Sequence, residues 1–468
     1  MTLLRRLFAR QPLEWVSSES DGPTLRRALG WPALTCIGLG TMLGGIFPTI
    51  GAGAHQAGPS VITSFVLSGI VCVAVALCYA ELSSMVPVAG SAYTYAYATL
   101  GEIVAWIIGW DLILEYGISA APVASSLSTY FQDFLNSVHI TLPQWASTAH
   151  WNGVHSQIDV SAAVVVLLIS GLLAIGIRES SRVNATLVAV QIVAMLAFLI
   201  GVLPHVNVVN LHPYRPFGTT GMLYATALVF FAYIGFDTVT VAAEEAHRPH
   251  VHVPIGILLS LVIGGVLYVA LTFVTVGSTP FARLSDGGAM LDAVRVNGNN
   301  PFLRAVVELG GVAGNTTVML TSLLGQVRIF YVMARDRMLP PGVAKIHAIF
   351  RTPAHMTMIT GVIVAILAAI VPLEQLLKLV NIGTLSAFAI VSFGTFSLRL
   401  VNPNASRPFK VPGGIAVSLF GGLSSFALIL YLGQTTWVRF VTWFAVGMIV
   451  YAAYGFWHSR LRSGIAPP

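Results

Sequence analysis

Charge is scarce in this sequence. Only 9% of its 468 residues are Asp, Glu, Lys or Arg, against 56% that are hydrophobic. So little polar surface excludes a water-soluble globule of this length and leaves lipid as the solvent. Cysteine is nearly absent as well: Cys36, Cys72 and Cys78 all fall in apolar stretches, which excludes a disulfide framework or a zinc site and leaves small packing residues. No nucleophile and base pair, phosphate-binding glycine loop or haem-attachment motif stands out, so enzyme chemistry has no foothold and no cofactor is expected. The N-terminal stretch, interrupted by Pro12 and Pro23, lacks the apolar core of a signal peptide and reads as a cytosolic tail.

What the chain has in abundance is apolar runs. A spanning helix needs about 20 mostly apolar residues, because hydrocarbon offers no water to satisfy backbone groups. Twelve such segments are legible, at about 33–53, 61–86, 103–130, 160–177, 183–204, 221–243, 253–277, 305–333, 356–372, 376–398, 413–432 and 438–457. The fold class expected is an all-α polytopic membrane protein. With both termini in the cytoplasm, eighteen of the 24 Lys and Arg residues fall on the inner side, and the outer side keeps Arg215, Arg283, Arg295, Arg304, Lys378 and Arg439. That asymmetry is the positive-inside pattern. It accounts for the net charge of +6 without a nucleic-acid partner.

Two of the twelve segments carry glycine where a spanning helix normally continues. The first reads Ile37-Gly38-Leu39-Gly40-Thr41-Met42-Leu43-Gly44-Gly45-Ile46-Phe47-Pro48, and the sixth reads Phe230-Phe231-Ala232-Tyr233-Ile234-Gly235-Phe236-Asp237. Glycine in membrane helices also serves close packing, but breaks at positions one and six together predict a five-plus-five inverted repeat. The divisions follow: a tail over 1–32, a first repeat over 33–204, a second over 205–400, and two appended helices with the C-terminal tail over 401–468. An unwound turn frees N–H groups that hold a carboxylate and carbonyls that hold an ammonium. A zwitterion fits such a pair. The N–H groups of Gly44, Gly45 and Ile46 are the candidate carboxylate cradle, with Thr41 beside them, and the carbonyls of Phe231, Ala232 and Ile234 are the candidate ammonium acceptors.

Acids within apolar segments are costly unless paired, protonated or facing a cavity. Asp237, at the sixth-segment break, is a candidate for coupling, for substrate contact, or for tying down the unwound turn. Asp111 and Glu115 stand four residues apart on one face of the third segment, which is expected to look inward. Glu81, near the cytoplasmic end of the second segment, is either a gate partner or a solvated helix end. In the eighth segment, Ser322 would leave room and polarity for a long substrate side chain that Glu115 could answer if it carried positive charge. His247, His250 and His252 have spacings that fit no helix face beside Pro249 and Pro254, so no metal site is expected there.

With these residues in place, the chain resembles the amino acid-polyamine-organocation superfamily, in its bacterial branch related to cationic amino acid transporters. The resemblance runs nearly end to end. It is carried by Cys78-Tyr79-Ala80-Glu81, by Pro87 through Tyr95, by Gly109-Trp110-Asp111 through Tyr116, by Gly176-Ile177-Arg178-Glu179-Ser180, by Phe231 through Asp237 with Ala243-Glu244-Glu245, and by Asn381-Ile382-Gly383-Thr384-Leu385. It implies sodium-independent uptake or exchange of L-amino acids by alternating access, with the substrate between segments one, three, six, eight and ten. A polyamine or amine carrier and a non-transporting amino acid receptor are the alternatives. Two departures stand out. The first break, Gly44-Gly45-Ile46-Phe47, is one residue shorter than the family's usual pattern. Gln191 also stands where many bacterial relatives carry a lysine thought to couple protons. An amide can hydrogen-bond the first and eighth segments but cannot cycle a proton, so proton coupling would rest on Asp237 or Glu115, or be absent.

Overall fold

The protein was analysed as a computed structural model that describes residues 29–85, 93–94, 96–97, 101–137, 140, 158–175, 181–347 and 352–460. The tails, most of the 87–95 motif and the 176–180 motif lie outside those residues, as do the side chains of Glu244 and Glu245.

Among the described residues the chain is helical and forms no strand. The first segment splits into α1 (Trp31–Met42), a 3₁₀ turn (Leu43–Ile46) and α2 (Thr49–Ala57), followed by α3 (Val61–Met85). Then come α4 (Glu102–Ser137), α5 (Val160–Ile175) and α6 (Ser181–Val202). The sixth segment begins as α7 (Gly218–Val229) and gives way to two 3₁₀ stretches, Phe230–Tyr233 and Phe236–Glu245. Beyond it lie α8 (Pro249–Ser278), the short α9 (Ala289–Val296), α10 (Pro301–Arg335), α11 (Ala354–Ile370), α12 (Leu373–Val401), α13 (Ile415–Tyr431) and α14 (Gln434–Val450).

Among the described residues, eight helical stretches are long and apolar enough to cross a membrane, and four shorter apolar helices accompany them. This is a multi-pass membrane protein. Several helices overrun their expected ends: α4 continues past 130 to Ser137, and α10 fills 301–335. Asp133 near the end of α4 pairs with Arg295 of α9 and with Arg304 in the first turn of α10, so polarity there does not mark a helix end. The largest departure is the second half of the sixth segment, a ten-residue 3₁₀ coil where such coils seldom exceed four residues. Inside it the Thr240 hydroxyl donates to the Asp237 carbonyl at 2.6 Å, and at its start the Thr238 hydroxyl donates to the Gly235 carbonyl at 2.6 Å. Both bonds span three residues, the spacing that favours the tighter coil.

The helices sort into two layers. In one, α8 packs on α3 and α1, and α7 packs on α2 and α3; in the other, α10 packs on α4 and α6, and α5 packs on α11. At one end of the bundle a loop after α9's predecessor turn closes over both layers. There the His55 imidazole meets the Asp286 carboxylate at 2.7 Å, and the Ser126 hydroxyl donates to the Gly287 carbonyl at 3.0 Å.

At the opposite end sits Glu81, fully buried near the end of α3. Its carboxylate accepts from both Nε, at 3.0 Å, and Nη2 of Arg399, from Nε of Arg407 at 3.1 Å, and from the Val411 N–H at 2.8 Å. The neighbouring Ser84 hydroxyl accepts from the Phe409 N–H at 3.1 Å, so the 402–412 connection is strapped onto α3. A solvated helix end, one of the two readings open from sequence, does not describe this residue. Removing one member of a buried ion pair strands its partners and costs roughly 3–5 kcal/mol. Glu81→Gln is therefore expected to lower the thermal unfolding midpoint in detergent by several degrees. An unchanged midpoint would show that the clasp contributes nothing to stability.

Candidate functional site

The two helix breaks are built differently and meet in the middle of the molecule. The first is short because Gly44 and Gly45 relax the helix and Pro48 brings no N–H. The Thr49 hydroxyl donates back to the Gly45 carbonyl at 2.8 Å, covering a group the break would otherwise expose. The second break turns at Ile234, whose backbone is extended, and at Gly235, whose φ is +120°. Glycine is required there twice over: a side chain would be strained at that φ, and a Cβ would lie 2.8 Å from the Cβ of Thr41.

Thr41 joins the breaks. Its hydroxyl lies 3.0 Å from the Gly235 carbonyl and 2.8 Å from the Thr238 hydroxyl. Gly45 presses on the other side, where a Cβ would stand 2.9 Å from the Ala232 Cα and 3.2 Å from the Phe231 carbonyl oxygen. Between them lies a cavity of about 20 Å³, room for roughly one water molecule.

The cavity wall contains five of the residues singled out from sequence: Thr41, Gly45, Phe231, Ile234 and Ser322. Four others lie off it. Gly44 faces the Gly314 carbonyl and Val318 of α10, so its small size serves helix packing. Ile46 and Ala232 are buried in the apolar core, and the Ala232 carbonyl already accepts from the Tyr268 hydroxyl at 2.8 Å. Glu115 is fully buried behind the wall, with neither carboxylate oxygen hydrogen-bonded among the described residues. Its helix neighbours Tyr116 and Ser119 face the cavity instead, together with Gly235, Thr238, Val318 and Thr321. Of these six, Thr321 belongs to the 316–323 stretch whose hydroxyls are expected from sequence to line a distal pocket; sequence reasoning missed the other five as wall residues. A hydroxyl a turn away from a buried acid was the available signal for Ser119.

Behind the hydroxyl wall the acids gather. Asp237 is buried, and its Oδ2 accepts from the Tyr116 hydroxyl at 3.1 Å, while Oδ1 has no partner among the described residues. Asp111 is buried likewise, with both oxygens unpartnered. Glu115 lies within electrostatic reach of both. Tyr116 is thus a bridge, with its ring on the cavity and its hydroxyl on the acid. Gln191 is fully buried against Gly314 of α10, as its expected contact with the eighth segment requires, yet its amide makes no hydrogen bond there among the described residues.

The sequence is similar to known transport proteins over most of its length. The profile of a family described as amino acid permease matches residues 29–455. A methylthioribose transporter of Bacillus subtilis (strain 168) is 39% identical over 458 residues, covering 97% of this chain and 99% of the relative. A branched-chain amino acid permease of the same organism is 41% identical over 450 residues, covering 96% and 97%. The vacuolar cationic amino acid transporter 4 of Arabidopsis thaliana is 36% identical over 396 residues, covering 82% of this chain and 66% of the relative.

The contact of Gly45 with Ala232 yields a test of the site. Gly45→Leu places a branched side chain in a cavity that holds one water, so ligand-induced thermal stabilisation is expected to vanish. Gly45→Ala, which must displace the chain by a few tenths of an ångström, is expected to weaken binding about tenfold, the effect of 1.4 kcal/mol. Undiminished stabilisation of the leucine variant by a transported substrate would place the binding site elsewhere.

Proposed function

This chain belongs to the amino acid permease family of the amino acid-polyamine-organocation superfamily, and from that premise we propose that it carries L-amino acids across the plasma membrane by alternating access. The family is one of permeases, not enzymes. The observation that carries the reading is the meeting of two helix breaks around a small buried cavity, with Thr41 hydrogen-bonded across to Gly235 and Thr238. In this arrangement the substrate carboxylate lies toward Gly45 and its ammonium toward the carbonyls of Phe231 and Ile234.

We propose the finer architecture as well: twelve spans, both termini cytoplasmic, and two inverted repeats of five, with the last two helices appended. The pairing of α3 with α8, α4 with α10 and α5 with α11 supports the repeat, because each pair joins elements five spans apart. Coupling, where it occurs, runs through Asp237 and Tyr116, since Gln191 cannot take up a proton at any working pH. Glu81 and its two arginines act as the cytoplasmic clasp that parts when the carrier opens inward.

For the side chain carried, we propose neutral substrates before cationic ones. Glu115, the acid expected to answer a distal positive charge, stands behind Tyr116 and Ser119 rather than on the wall. The wall's polar groups are hydroxyls: Thr41, Tyr116, Ser119, Thr238, Thr321 and Ser322. That same feature favours a second reading, a neutral polyhydroxy substrate such as the one named for the Bacillus subtilis relative.

Uptake into proteoliposomes, with and without a proton gradient, separates these readings. Leucine and alanine are expected to accumulate, decarboxylated amines to compete poorly, and arginine to compete at least about tenfold more weakly than leucine, a penalty set by an unpaired charge in a poorly solvated site. Uptake of methylthioribose with none of any amino acid would overturn the primary reading. Asp237→Asn is expected to abolish accumulation against a gradient, because an acid held at a helix break without a task would be lost; wild-type accumulation in that variant would remove Asp237 from the mechanism.

A further inference from the structure

Besides the cavity between the breaks, the molecule has a slot of about 740 Å³ on the outside of the bundle, between α3 and α8. Its two ridges are strongly exposed aliphatics, Val66 at 40% and Ile70 at 50% on α3, and Val262 at 55% and Val266 at 66% on α8. Both helices belong to membrane-crossing stretches, so the ridges face hydrocarbon. Between them Gly69 and Gly265 remove the side chains that would fill the slot. A Cβ on Gly69 would lie 3.0 Å from the Tyr233 hydroxyl oxygen, and one on Gly265 would lie 3.5 Å from the Tyr233 ring. The floor is therefore the half-exposed backbone at Gly69 and Gly265, with Tyr233, a residue of the sixth-segment break itself, directly beneath it.

We propose that this slot is a lipid site, in which one acyl chain of a membrane phospholipid lies between α3 and α8 and rests on Gly69 and Gly265. The chemistry of the walls admits hydrocarbon and nothing charged, since the Tyr233 hydroxyl is already engaged by the Phe65 carbonyl at 2.8 Å. The size excludes a partner helix, which at about 10 Å across and 30 Å long occupies more than ~2,000 Å³. The position selects the leaflet: the slot spans 62–73, the half of α3 that follows the Ala57–Val61 turn, so the chain enters from that side.

The site matters because of what Tyr233 holds. Its ring stacks edge-on against Tyr268 at 5.2 Å, and the Tyr268 hydroxyl donates to the Ala232 carbonyl. Lipid, the two glycines, Tyr233, Tyr268 and the sixth-segment break are thus in continuous contact. A chain seated in the slot braces the break from outside, while the substrate acts on it from within.

The test needs no substrate, so its failure and that of the transport reading are distinguishable. The protein is placed in nanodiscs of phosphatidylethanolamine and phosphatidylglycerol, with a trace of phosphatidylethanolamine bearing a diazirine within the acyl chain, and illuminated; adducts are mapped by mass spectrometry. A lipid that skims the surface labels the ridges at Val66, Ile70 and Val266 but not the recessed, half-exposed glycines between them. A seated chain is expected to label Gly69 or Gly265, and Val266→Trp, which fills the slot from an exposed position, is expected to cut that adduct at least about fivefold while leaving labelling at Leu168, on the far layer, unchanged. Absence of an adduct at both glycines, a glycine adduct unaffected by Val266→Trp in monodisperse protein, or crosslinks to a second polypeptide in place of lipid would each overturn the proposal.

Discussion

A broken helix inside hydrocarbon is tolerable only if its loose backbone groups find partners, and the rest of this molecule is arranged around that need. Unsatisfied N–H and C=O groups cost several kcal/mol each in such a medium. Here they are met from three sides. Thr49 covers the Gly45 carbonyl, Tyr268 covers Ala232, and Thr41 reaches across to Gly235. Because each break supplies part of what the other lacks, neither could persist alone at membrane depth. The glycines follow from the same need, since only residues without side chains let two unwound segments approach this closely.

Much of this was legible in the amino-acid sequence. Apolar runs report solvent directly, and the glycine clusters at the first and sixth segments mark the breaks because a helix former would have been kept there otherwise. What the sequence could not show is which side of the wall a residue stands on. Glu115 and Tyr116 are adjacent on α4, yet the acid lies off the cavity wall and the tyrosine on it. A rotation of one residue, 100° around the helix axis, decides between substrate contact and buried support, and spacing alone does not fix it. Gly44 and Gly45 are adjacent in the same way: one accommodates α10, the other borders the cavity. The 3₁₀ coil after Gly235 was hidden for a different reason, since hydroxyls bonding three residues back stabilise it only once the chain has already tightened.

The scarce charges show a division of labour. Those at the two ends are paired: Glu81 with two arginines at one end, His55 with Asp286 at the other. Those in the middle, Asp111, Glu115 and Asp237, have no basic partner in the described residues and take hydrogen bonds sparingly. Pairing ties distant segments together at the ends, and in the middle Tyr116 joins Asp237 to the cavity wall.

That cavity has room for about one water molecule, and this limits where selectivity can reside. A protein that holds no mould of its ligand at rest cannot choose by fit to a preformed shape. The walls must part before anything enters, and they re-form around whatever has entered. Discrimination then belongs to the moment of closure: a molecule too large, or one that leaves a hydroxyl unmatched, is bound and released on the same side, while one that lets Thr41 regain Gly235 is carried across. Choosiness of this kind would register in rates of translocation more than in equilibrium affinity.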